Sequence, residues 1–271
     1  MPGHQLFDML GRVAVVSGAA SGMGRAMAIG FAEAGADVML ADVDVASAEA
    51  TAAHIRALGR KAVPVNCDVT NILSVRAMFA LLDKEFGRVD VLGNVAGPGM
   101  GGAPEEIDVS VMTQVLQNLV VGRFAACQEA GRRMLKQGRG SIINIGSIGG
   151  WNSLGRHHMP YGTAMGAVIQ MTRELSTEWA ARGVRVNCIL PAQVLNKDLE
   201  ARMMTMPAMR DVFLGGIPAG RFGKPDDIKG VAIFLGSDAS SWVTGAIIPM
   251  DGGNLAMNAG GSYPGGPRPM G

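Results

Sequence analysis

The sequence predicts an α/β fold in which a single domain forms a doubly wound parallel sheet. Short apolar runs that suit buried strands alternate along the chain with longer segments of helical composition. A glycine-rich turn joins the first predicted strand to the first predicted helix, and polar residues follow several of the other strands. The chain has no internal repeat with a period of about 20 to 50 residues, which argues against a solenoid or a propeller.

The elements are predicted in an alternating order. Strands are predicted from short apolar runs at residues 13–16, 38–41, 62–67, 89–94, 141–145, 185–190 and 246–249. Helices are predicted at residues 25–34, 46–58, 72–86, 111–136, 161–181 and 226–235. Gly35, Gly59 and Gly87 follow the first three helices, as is typical of helix ends. Because ligands of such sheets bind at the carboxyl ends of the strands, the candidate site lies there.

The turn at residues 17–24, which reads S-G-A-A-S-G-M-G, is typical of a phosphate-binding loop. Glycines have no Cβ atom, so the chain can turn sharply and approach an anion closely. The first N–H groups of the following helix and its macrodipole favour a negative charge. We therefore expect a pyrophosphate at Gly18, Ser21, Gly22, Met23 and Gly24. A glycine turn with a purely structural role is the alternative.

The second predicted strand ends in Asp42, which lies 18 positions after Gly24. A dinucleotide fold needs a carboxylate near this point to accept hydrogen bonds from the ribose hydroxyls. Asp42 would repel a 2′-phosphate, and Val43 and Asp44 beside it offer no compensating cation. The sequence therefore favours NAD(H) over NADP(H).

The composition favours a small molecule as ligand. The 271 residues carry a net charge of +1 and no long block of one sign, so neither nucleic acid nor a membrane is expected as partner. No apolar stretch reaches the about 20 residues of a membrane span, and residues 1–11 lack the pattern of a signal peptide. Cys67, Cys127 and Cys188 lack metal-type spacing, so buried cysteines are expected rather than a nucleophile or a zinc site. These features predict a reduced, cytoplasmic protein without a metal.

The domain is predicted to occupy residues 1–253, and residues 254–271 form a Gly/Pro-rich tail. The sequence from residue 252 onwards is too rich in glycine and proline to predict regular structure. An ordered arm on a neighbouring subunit and a loose tail are both compatible with it.

From residue 10 to residue 253, the sequence resembles the classical short-chain dehydrogenases/reductases. The motifs that carry the resemblance are the glycine turn at 17–24, Asp68-Val69, the turn Asn94-Val95-Ala96-Gly97, Ser147, Tyr161, and the segments 186–192, 221–225 and 251–253. The resemblance implies a Rossmann-like fold, a nicotinamide cofactor and a homotetramer. It assigns further cofactor contacts to Asp68, Val69, Asn94, Ala96, Gly97, Tyr161, Pro191 and Val194. It also makes Tyr161 the catalytic acid or base and Ser147 the residue that holds the carbonyl oxygen.

Two catalytic positions of that family differ in this chain. The signature Tyr-x-x-x-Lys reads Tyr161-Gly162-Thr163-Ala164-Met165, so the lysine that stands one helical turn from the tyrosine is missing. In the family this lysine promotes ionisation of the tyrosine and holds the nicotinamide ribose, and a methionine can do neither. Leu119 occupies the position of the catalytic asparagine. Asn118 precedes it and would point about 100° away unless the helix contains a bulge.

Residues between Ser147 and Tyr161 could compensate for these losses. Arg156, His157 and His158 fall in the loop that borders the substrate pocket in the family. A histidine is suited to proton transfer near neutral pH, and Arg156 could hold an anionic substrate. The alternative is that they are ordinary loop residues or subunit contacts.

Three functions are compatible with the sequence. The first is NAD(H)-dependent interconversion of a secondary alcohol and a ketone, with alcohol oxidation weak at neutral pH and improving as the pH rises. In that case restoring the lysine at Met165 should raise turnover if the site is otherwise intact. The second is an NAD-bound sensor or a partner subunit of an active homologue. The third is a lyase or dehalogenase, which the intact glycine motif disfavours.

Overall fold

The computed structural model describes residues 2–97 and 99–258. Its strands are β1 (Val13–Ser17), β2 (Asp37–Asp42), β3 (Ala62–Asn66), β4 (Val91–Asn94), β5 (Gly140–Ile145), β6 (Val184–Pro191) and β7 (Ile247–Met250). Its α-helices are α1 (Gly22–Glu33), α2 (Val45–Ala57), α3 (Ile72–Glu85), α4 (Val109–Leu116), α5 (Gly122–Gln137), α6 (Ile148–Trp151), α7 (Met159–Trp179), α8 (Lys197–Thr205), α9 (Pro207–Gly215), α10 (Ile228–Gly236) and α11 (Asn254–Asn258).

The strands form one seven-stranded sheet in the order β3-β2-β1-β4-β5-β6-β7, and every pair in it is parallel. The chain therefore starts in the middle of the sheet, builds outwards to β3, and returns through β4 to the other side. This is a Rossmann-like, doubly wound arrangement, and the predicted fold class is confirmed. The strand order reverses between β1 and β4, where the carboxyl ends of such sheets bind ligands.

Both faces of the sheet are covered by helices. Ala14 and Val16 of β1 belong to the buried apolar cluster that includes α1 and α10, whereas Val13 and Val15 belong to the cluster with α3 and α5. Successive side chains of a strand point to opposite faces. A strand that is apolar at every position is therefore expected to be buried on both sides.

The long helix predicted at residues 111–136 is interrupted. The chain forms α4, then a π-helical turn at Gln117–Val121, and then α5. The extra residue of a π turn changes the direction of the side chains on either side of it. Such a bulge is the condition under which Asn118 could turn towards the site.

The helices α6, α8 and α9 are absent from the sequence prediction, and all three lie after strands of the second half of the sheet. The four-residue α6 follows β5, and α8 with α9 follows β6. They surround the carboxyl ends of these strands.

The sequence predicts no regular structure after Gly253, and this prediction is wrong for residues 254–258, which are helical. Asn254–Asn258 form α11, and the buried side chain of Asn254 donates a hydrogen bond to the carbonyl oxygen of Gly216. This anchor joins the end of the domain to the segment after α9. The remainder of the predicted tail, residues 259–271, lies outside the described residues. Within the described part of the chain, no helix combines the length and apolarity that a membrane crossing needs.

Candidate active site

The glycine turn between β1 and α1 needs glycine at three positions for two physical reasons. Gly18 and Gly22 have φ angles of 70° and 54°, which L side chains rarely adopt. A Cβ atom on Gly24 would lie 2.0 Å from the carbonyl oxygen of Gly18, so only glycine lets the helix pack against the turn. Ser21 begins the helix without a side-chain cap. The first amide groups of α1 are therefore left for an anion.

Asp42 connects the end of β2 to the glycine turn. One of its carboxylate oxygens accepts a hydrogen bond of 2.9 Å from the amide of Ala20, and the other accepts one of 3.0 Å from the amide of Asp44. The carboxylate therefore stands beside the turn, at the place where a ribose would follow a bound pyrophosphate.

The turn after β4 is joined to the same region by Ser17. The Ser17 hydroxyl oxygen accepts hydrogen bonds from the amides of Val95 and Ala96, at 2.9 and 3.1 Å. Gly97 has a φ of 139°, and a Cβ atom there would lie 2.7 Å from the Leu119 side chain. The carboxyl ends of β1 and β4 thus form one continuous rim.

Asn94 belongs to this rim, but its side chain points into the protein. Its Nδ2 donates to the carbonyl oxygen of Arg123 at 3.0 Å and to the side chain of Asn144 at 3.2 Å. The residue is 1% exposed. Its observed contacts therefore align β4, β5 and α5, and its cofactor contact stays a prediction.

The other residues that the resemblance assigns to the cofactor lie at neighbouring strand ends. After β3, Asp68 is exposed and accepts hydrogen bonds from the amide and hydroxyl of Thr70, while Val69 is buried. After β6, Pro191 is buried, and Val194 forms a β-bridge with Gly223. The whole predicted set therefore lies along one edge of the sheet.

Tyr161 lies in the first turn of α7, immediately after Pro160. Pro160 suits this position because the first N–H groups of a helix have no intrahelical partner. The Tyr161 ring packs so closely on Gly99 that a Cβ atom on that glycine would lie 2.5 Å from it. His158 meets the same ring edge-on, with 6.1 Å between the ring centroids. The phenol is thus fixed between the loop after β4 and the start of α7.

Ser147 follows β5 and begins α6. It is buried, and its hydroxyl oxygen accepts a hydrogen bond of 3.1 Å from the amide of Gly149, which leaves its O–H free to donate. The carbonyl oxygen of Gly149 lies 3.1 Å from the site of a Cβ atom on Gly162. The short helix that carries Ser147 therefore packs against the turn that carries Tyr161.

A cavity of about 830 Å³ opens in front of Tyr161. Its walls come from the loop after β4, the loop before α7, the segment after β6, and α8. The lining residues are Gly99, Met100, Gly101, Gly102, Ala103, Arg156, His157, His158, Tyr161, Ala192, Gln193, Val194, Asn196, Asp198, Leu199 and Arg202. Its volume is typical of a site for a small molecule. Ser147 is not one of its lining residues.

The region around Met165 is apolar. Met165 is 1% exposed and belongs to the same buried apolar cluster as Leu119. A Cβ atom on Gly150 would lie 2.7 Å from the Met165 Cβ, so α6 closes this region from one side. Asn118 is also buried, and its carbonyl oxygen approaches Gly97. Both catalytic positions that differ from the family pattern thus contribute to one hydrophobic contact region.

Arg123 is a buried cation that the sequence analysis missed. It is 3% exposed, and its guanidinium donates to the carbonyl oxygens of Asn94, Val95 and Ile145 at the ends of β4 and β5. Burial lowers the pKa of Arg123. Its position, four residues after Leu119, gives no sequence signal because an arginine in a helix is ordinarily exposed.

Arg156, His157 and His158 all line the cavity, as the sequence analysis proposed. His157 has a φ of 57° and is the only residue other than glycine with a positive φ in the described segments. Its carbonyl oxygen accepts a hydrogen bond of 2.8 Å from Gly102, and a Cβ atom on Gly101 would lie 2.3 Å from that oxygen. The loop before α7 is therefore fixed to the loop after β4.

The three cysteines are free and buried, as expected. Burial raises the pKa of Cys67 to about 11 and those of Cys127 and Cys188 to about 12. These thiols are neutral at physiological pH, and a neutral buried thiol is a poor nucleophile.

The residues at the strand ends fit a nicotinamide dinucleotide. The glycines let the start of α1 pack directly against the turn, the uncapped start of α1 suits a pyrophosphate, and Asp42 suits a ribose. Tyr161 borders a separate cavity at the same edge of the sheet.

Comparison with known proteins agrees with this geometry. A family model described as enoyl-(acyl carrier protein) reductase matches residues 18–254. The chain is 37% identical to the D-threitol dehydrogenase of Mycolicibacterium smegmatis over 247 residues, which cover 91% of this chain and 94% of that protein. It is 36% identical to the cyclohexanol dehydrogenase of Rhodococcus sp. over 264 residues, which cover 90% and 96% of the two chains. The chain belongs to the classical short-chain dehydrogenases/reductases.

As a short-chain dehydrogenase/reductase, the protein is an NAD(P)-dependent oxidoreductase. The crystal structure of gox2181 matches it with a TM-score of 0.90 at 34% identity, covering 94% of this chain and 99% of that one. A 7α-hydroxysteroid dehydrogenase complexed with NADH matches with a TM-score of 0.87 at 29% identity over 93% and 98% of the chains. A structure described as an NAD(P)-dependent gluconate 5-dehydrogenase from Beutenbergia cavernae, with bound NADP, matches with a TM-score of 0.87 at 35% identity over 93% and 99%. Relatives of this dehydrogenase/reductase thus hold either dinucleotide.

Proposed function

We propose that this short-chain dehydrogenase/reductase interconverts a secondary alcohol and a ketone on a small molecule, with NAD(H) as its cofactor. The observation that carries the proposal is the position of Tyr161, whose ring borders a cavity of about 830 Å³ at the edge of the sheet that carries the glycine turn. The names of the relatives support this reaction class, because D-threitol and cyclohexanol, the alcohols in the names of two dehydrogenases, both contain secondary hydroxyl groups.

Tyr161 and Ser147 have distinct roles in this proposal. Tyr161 takes the hydroxyl proton during alcohol oxidation and returns it during ketone reduction. Ser147 donates its free O–H to the substrate oxygen while its own oxygen remains bonded to the amide of Gly149. When bound, the nicotinamide exchanges a hydride with the substrate carbon.

The missing lysine makes the two directions of the reaction unequal. No ammonium stands at Met165, and the surrounding cluster is apolar, so the ionised form of Tyr161 receives no stabilisation from that position. Oxidation needs Tyr161 as a base and is expected to be slow at neutral pH and faster as the pH rises. Reduction needs Tyr161 as an acid, so this direction is expected to suffer less from the missing lysine.

The choice of NAD(H) over NADP(H) rests on Asp42. Its carboxylate is held beside the glycine turn by the amides of Ala20 and Asp44, so a 2′-phosphate would meet a fixed negative charge. Asp42→Asn keeps similar hydrogen-bonding geometry and removes the charge. We expect this variant to narrow the difference between the dissociation constants of NADH and NADPH, measured by fluorescence titration, by about tenfold or more. Equal binding of both cofactors by the unaltered protein would contradict the assignment.

The catalytic assignment is tested by Tyr161→Phe and Ser147→Ala. Each variant is expected to lower kcat for ketone reduction by about 10² to 10⁴ while the dissociation constant of NADH stays within about twofold. A panel of secondary alcohols and ketones is assayed by the absorbance of NADH between pH 6 and 10, with Thr163→Val as the control because Thr163 is exposed on the same helix. An unchanged rate in Tyr161→Phe, or an oxidation rate that does not increase with pH, would refute the proposal.

A second candidate is an NAD-bound sensor or a partner subunit of an active homologue. The apolar surroundings of Leu119 and Met165 favour it, because two polar groups of the family's proton relay are replaced together. This reading predicts NADH binding without turnover of any compound in the panel. Activity that disappears in Tyr161→Phe would exclude it.

We further propose that the protein is a cytoplasmic homotetramer. Val109, Val121, Phe124 and Trp151 are exposed large apolar residues on or beside the helices α4 to α6, where a neighbouring subunit would bury them. The three free, buried cysteines are typical of a reducing compartment. Sedimentation equilibrium tests the subunit number, and a mass of one subunit at micromolar concentration would contradict it. Cell fractionation tests the location.

The site roles of Gly18, Ser21, Gly22, Met23, Gly24, Asp68, Val69, Asn94, Ala96, Gly97, Pro191 and Val194 remain part of this proposal as cofactor contacts. Their common position along one edge of the sheet supports it.

A further inference from the structure

The cavity in front of Tyr161 has an unusual distribution of charge. Arg156 and Arg202 line it together with His157 and His158, and Asp198 is the single carboxylate among its described lining residues. Neither arginine has a carboxylate within 4 Å in the described part of the chain. The cavity therefore has an excess of positive charge that the protein itself does not neutralise.

Arg156 is held in place without a hydrogen-bond partner for one end of its guanidinium. Its side chain is half-buried, and its Cζ atom lies 4.4 Å from the centre of the Phe213 ring on α9. The Nη2 atom of Arg156 is shielded from solvent and has no partner among the described residues. A buried N–H donor without a partner is destabilising, and a charged donor is more so. An acceptor from a ligand would remove that cost.

His158, which lines the same cavity, also has a buried nitrogen without a partner among the residues that the structure describes. Its Nδ1 atom is shielded and without a partner in the described segments, and its ring is edge-on to Tyr161. Burial lowers the pKa of His158, with further lowering by Arg156, Arg202 and His157. The positive charges of the two arginines thus disfavour a positive charge on His158.

Arg202 reaches the cavity from the other wall. It lies on α8, one helical turn after Asp198, whereas Arg156 lies in the loop before α7. No hydrogen bond or salt bridge joins Asp198 to Arg202. Two guanidinium groups from separate elements therefore border the same space, and guanidinium groups bind carboxylates and phosphates through paired hydrogen bonds.

We propose that the substrate of this enzyme carries an anionic group, a carboxylate or a phosphate, that Arg156 and Arg202 bind while its alcohol or ketone carbon faces Tyr161. This inference rests on the proposed function and specifies its substrate class. Arg156 and Arg202 determine specificity, and Phe213 positions Arg156.

The test compares ligands that differ in charge. Gluconate is paired with neutral glucitol, and glycerol 3-phosphate is paired with neutral glycerol, so the two pairs distinguish a carboxylate from a phosphate. Dissociation constants are measured by calorimetry with the NADH-saturated protein, for the unaltered chain and for Arg156→Gln and Arg202→Gln. Arg210→Gln is the matched control, because Arg210 is exposed on α9 and does not line the cavity. Arg202 is exposed, so its substitution leaves the fold intact even if that of Arg156 does not.

At least one anion is expected to bind tenfold or more tightly than its neutral partner. Each cavity variant should raise the dissociation constant of that anion by about tenfold. The dissociation constants of the neutral compounds should change by less than about twofold in the cavity variants. Arg210→Gln should change the dissociation constant of the anion by less than about twofold. Equal affinity within both pairs, failure of both anions to bind, or equal losses for anion and neutral compound would overturn the inference. Oxidation of neutral alcohols with NAD⁺, measured in parallel, reports on the proposed function independently. If neutral alcohols are turned over and anions are not preferred, only the inference fails.

Discussion

Replacing Met165 by lysine restores the family signature, and the structure gives a definite expectation for the result. Met165 is 1% exposed, lies against Gly150 of α6, and shares its cluster with Leu119. A lysine ammonium at this position would be enclosed by the apolar side chains that now surround the methionine thioether. Arg123, the buried cation described above, has the same sign as that ammonium and offers it no compensation. The single substitution is therefore expected to cost stability, although the sequence alone suggested that it would raise turnover.

The size of the loss follows from burial. Methionine and lysine have similar length, so the packing change is small and the charge dominates. Enclosing one ammonium without a partner costs about 3 kcal/mol. At about 2 to 4 °C per kcal/mol for a domain of this size, Met165→Lys should lower Tm by about 6 to 12 °C. Met165→Leu is the matched control and should cost less than about 1.5 kcal/mol.

The assay is thermal unfolding followed by circular dichroism at several pH values, with kcat measured on the same samples. Burial holds the pKa of the introduced amine below its unfolded value of about 10.4. The unfolded state then binds more protons than the folded state. The loss of stability in Met165→Lys should therefore become smaller as the pH rises towards about 10.4. Adding Leu119→Asn supplies a polar partner and should recover about 1 to 3 kcal/mol through coupling. The double variant should also oxidise alcohols about tenfold faster than the single variant.

Two results would refute this reasoning. The first is a Met165→Lys protein as stable as the unaltered chain with increased turnover, which would mean that the apolar cluster already accommodates a cation. The second is a double variant whose change in the free energy of unfolding equals the sum of the changes in the two single variants, which would mean that positions 119 and 165 do not interact.

Three further predictions concern the loops around the site. Gly24→Ala should weaken NADH binding by about tenfold or more in a fluorescence titration. The control is Gly230→Ala, at a helical glycine with free space around it, which should keep NADH binding and raise the free energy of unfolding by about 0.5 to 1 kcal/mol. Equal losses of NADH binding in the two variants would contradict the packing argument. Because the folded pKa of His158 is below 6.5, its contribution to stability is complete above pH 6.5 and is lost as the pH falls towards the folded pKa. Chemical denaturation should show this loss, and His158→Gln should abolish it; an unchanged pH dependence in the variant would exclude His158 as its source. Gly101→Ala should lower kcat/KM by about tenfold or more in steady-state assays, since its Cβ would meet the carbonyl oxygen of His157 at 2.3 Å; unaltered kinetics would show that this loop is free to shift.

The limits of sequence reasoning are clearest along the helix predicted at residues 111–136. Its apolar pattern predicts one continuous helix, and only the register of Asn118, one residue before Leu119, points to a bulge. A π turn depends on contacts with other elements, such as the 3.2 Å hydrogen bond from the Gln117 side chain to the carbonyl oxygen of Thr70. Local composition does not encode that contact, so the sequence leaves the bulge as a condition on Asn118 and gives no sign that Arg123 is buried.

By itself the sequence determined the alternating architecture, the parallel sheet, and the edge of the sheet at which the site lies. It did so because strand periodicity, glycine at positive φ and polar residues at strand ends are local properties of a few consecutive residues. The tertiary structure alone decided that Leu119 and Met165 share one apolar cluster and that Arg156 and Arg202 face one cavity. The physical reason is that burial and electrostatic surroundings depend on residues far apart in the chain, which only the folded packing brings together.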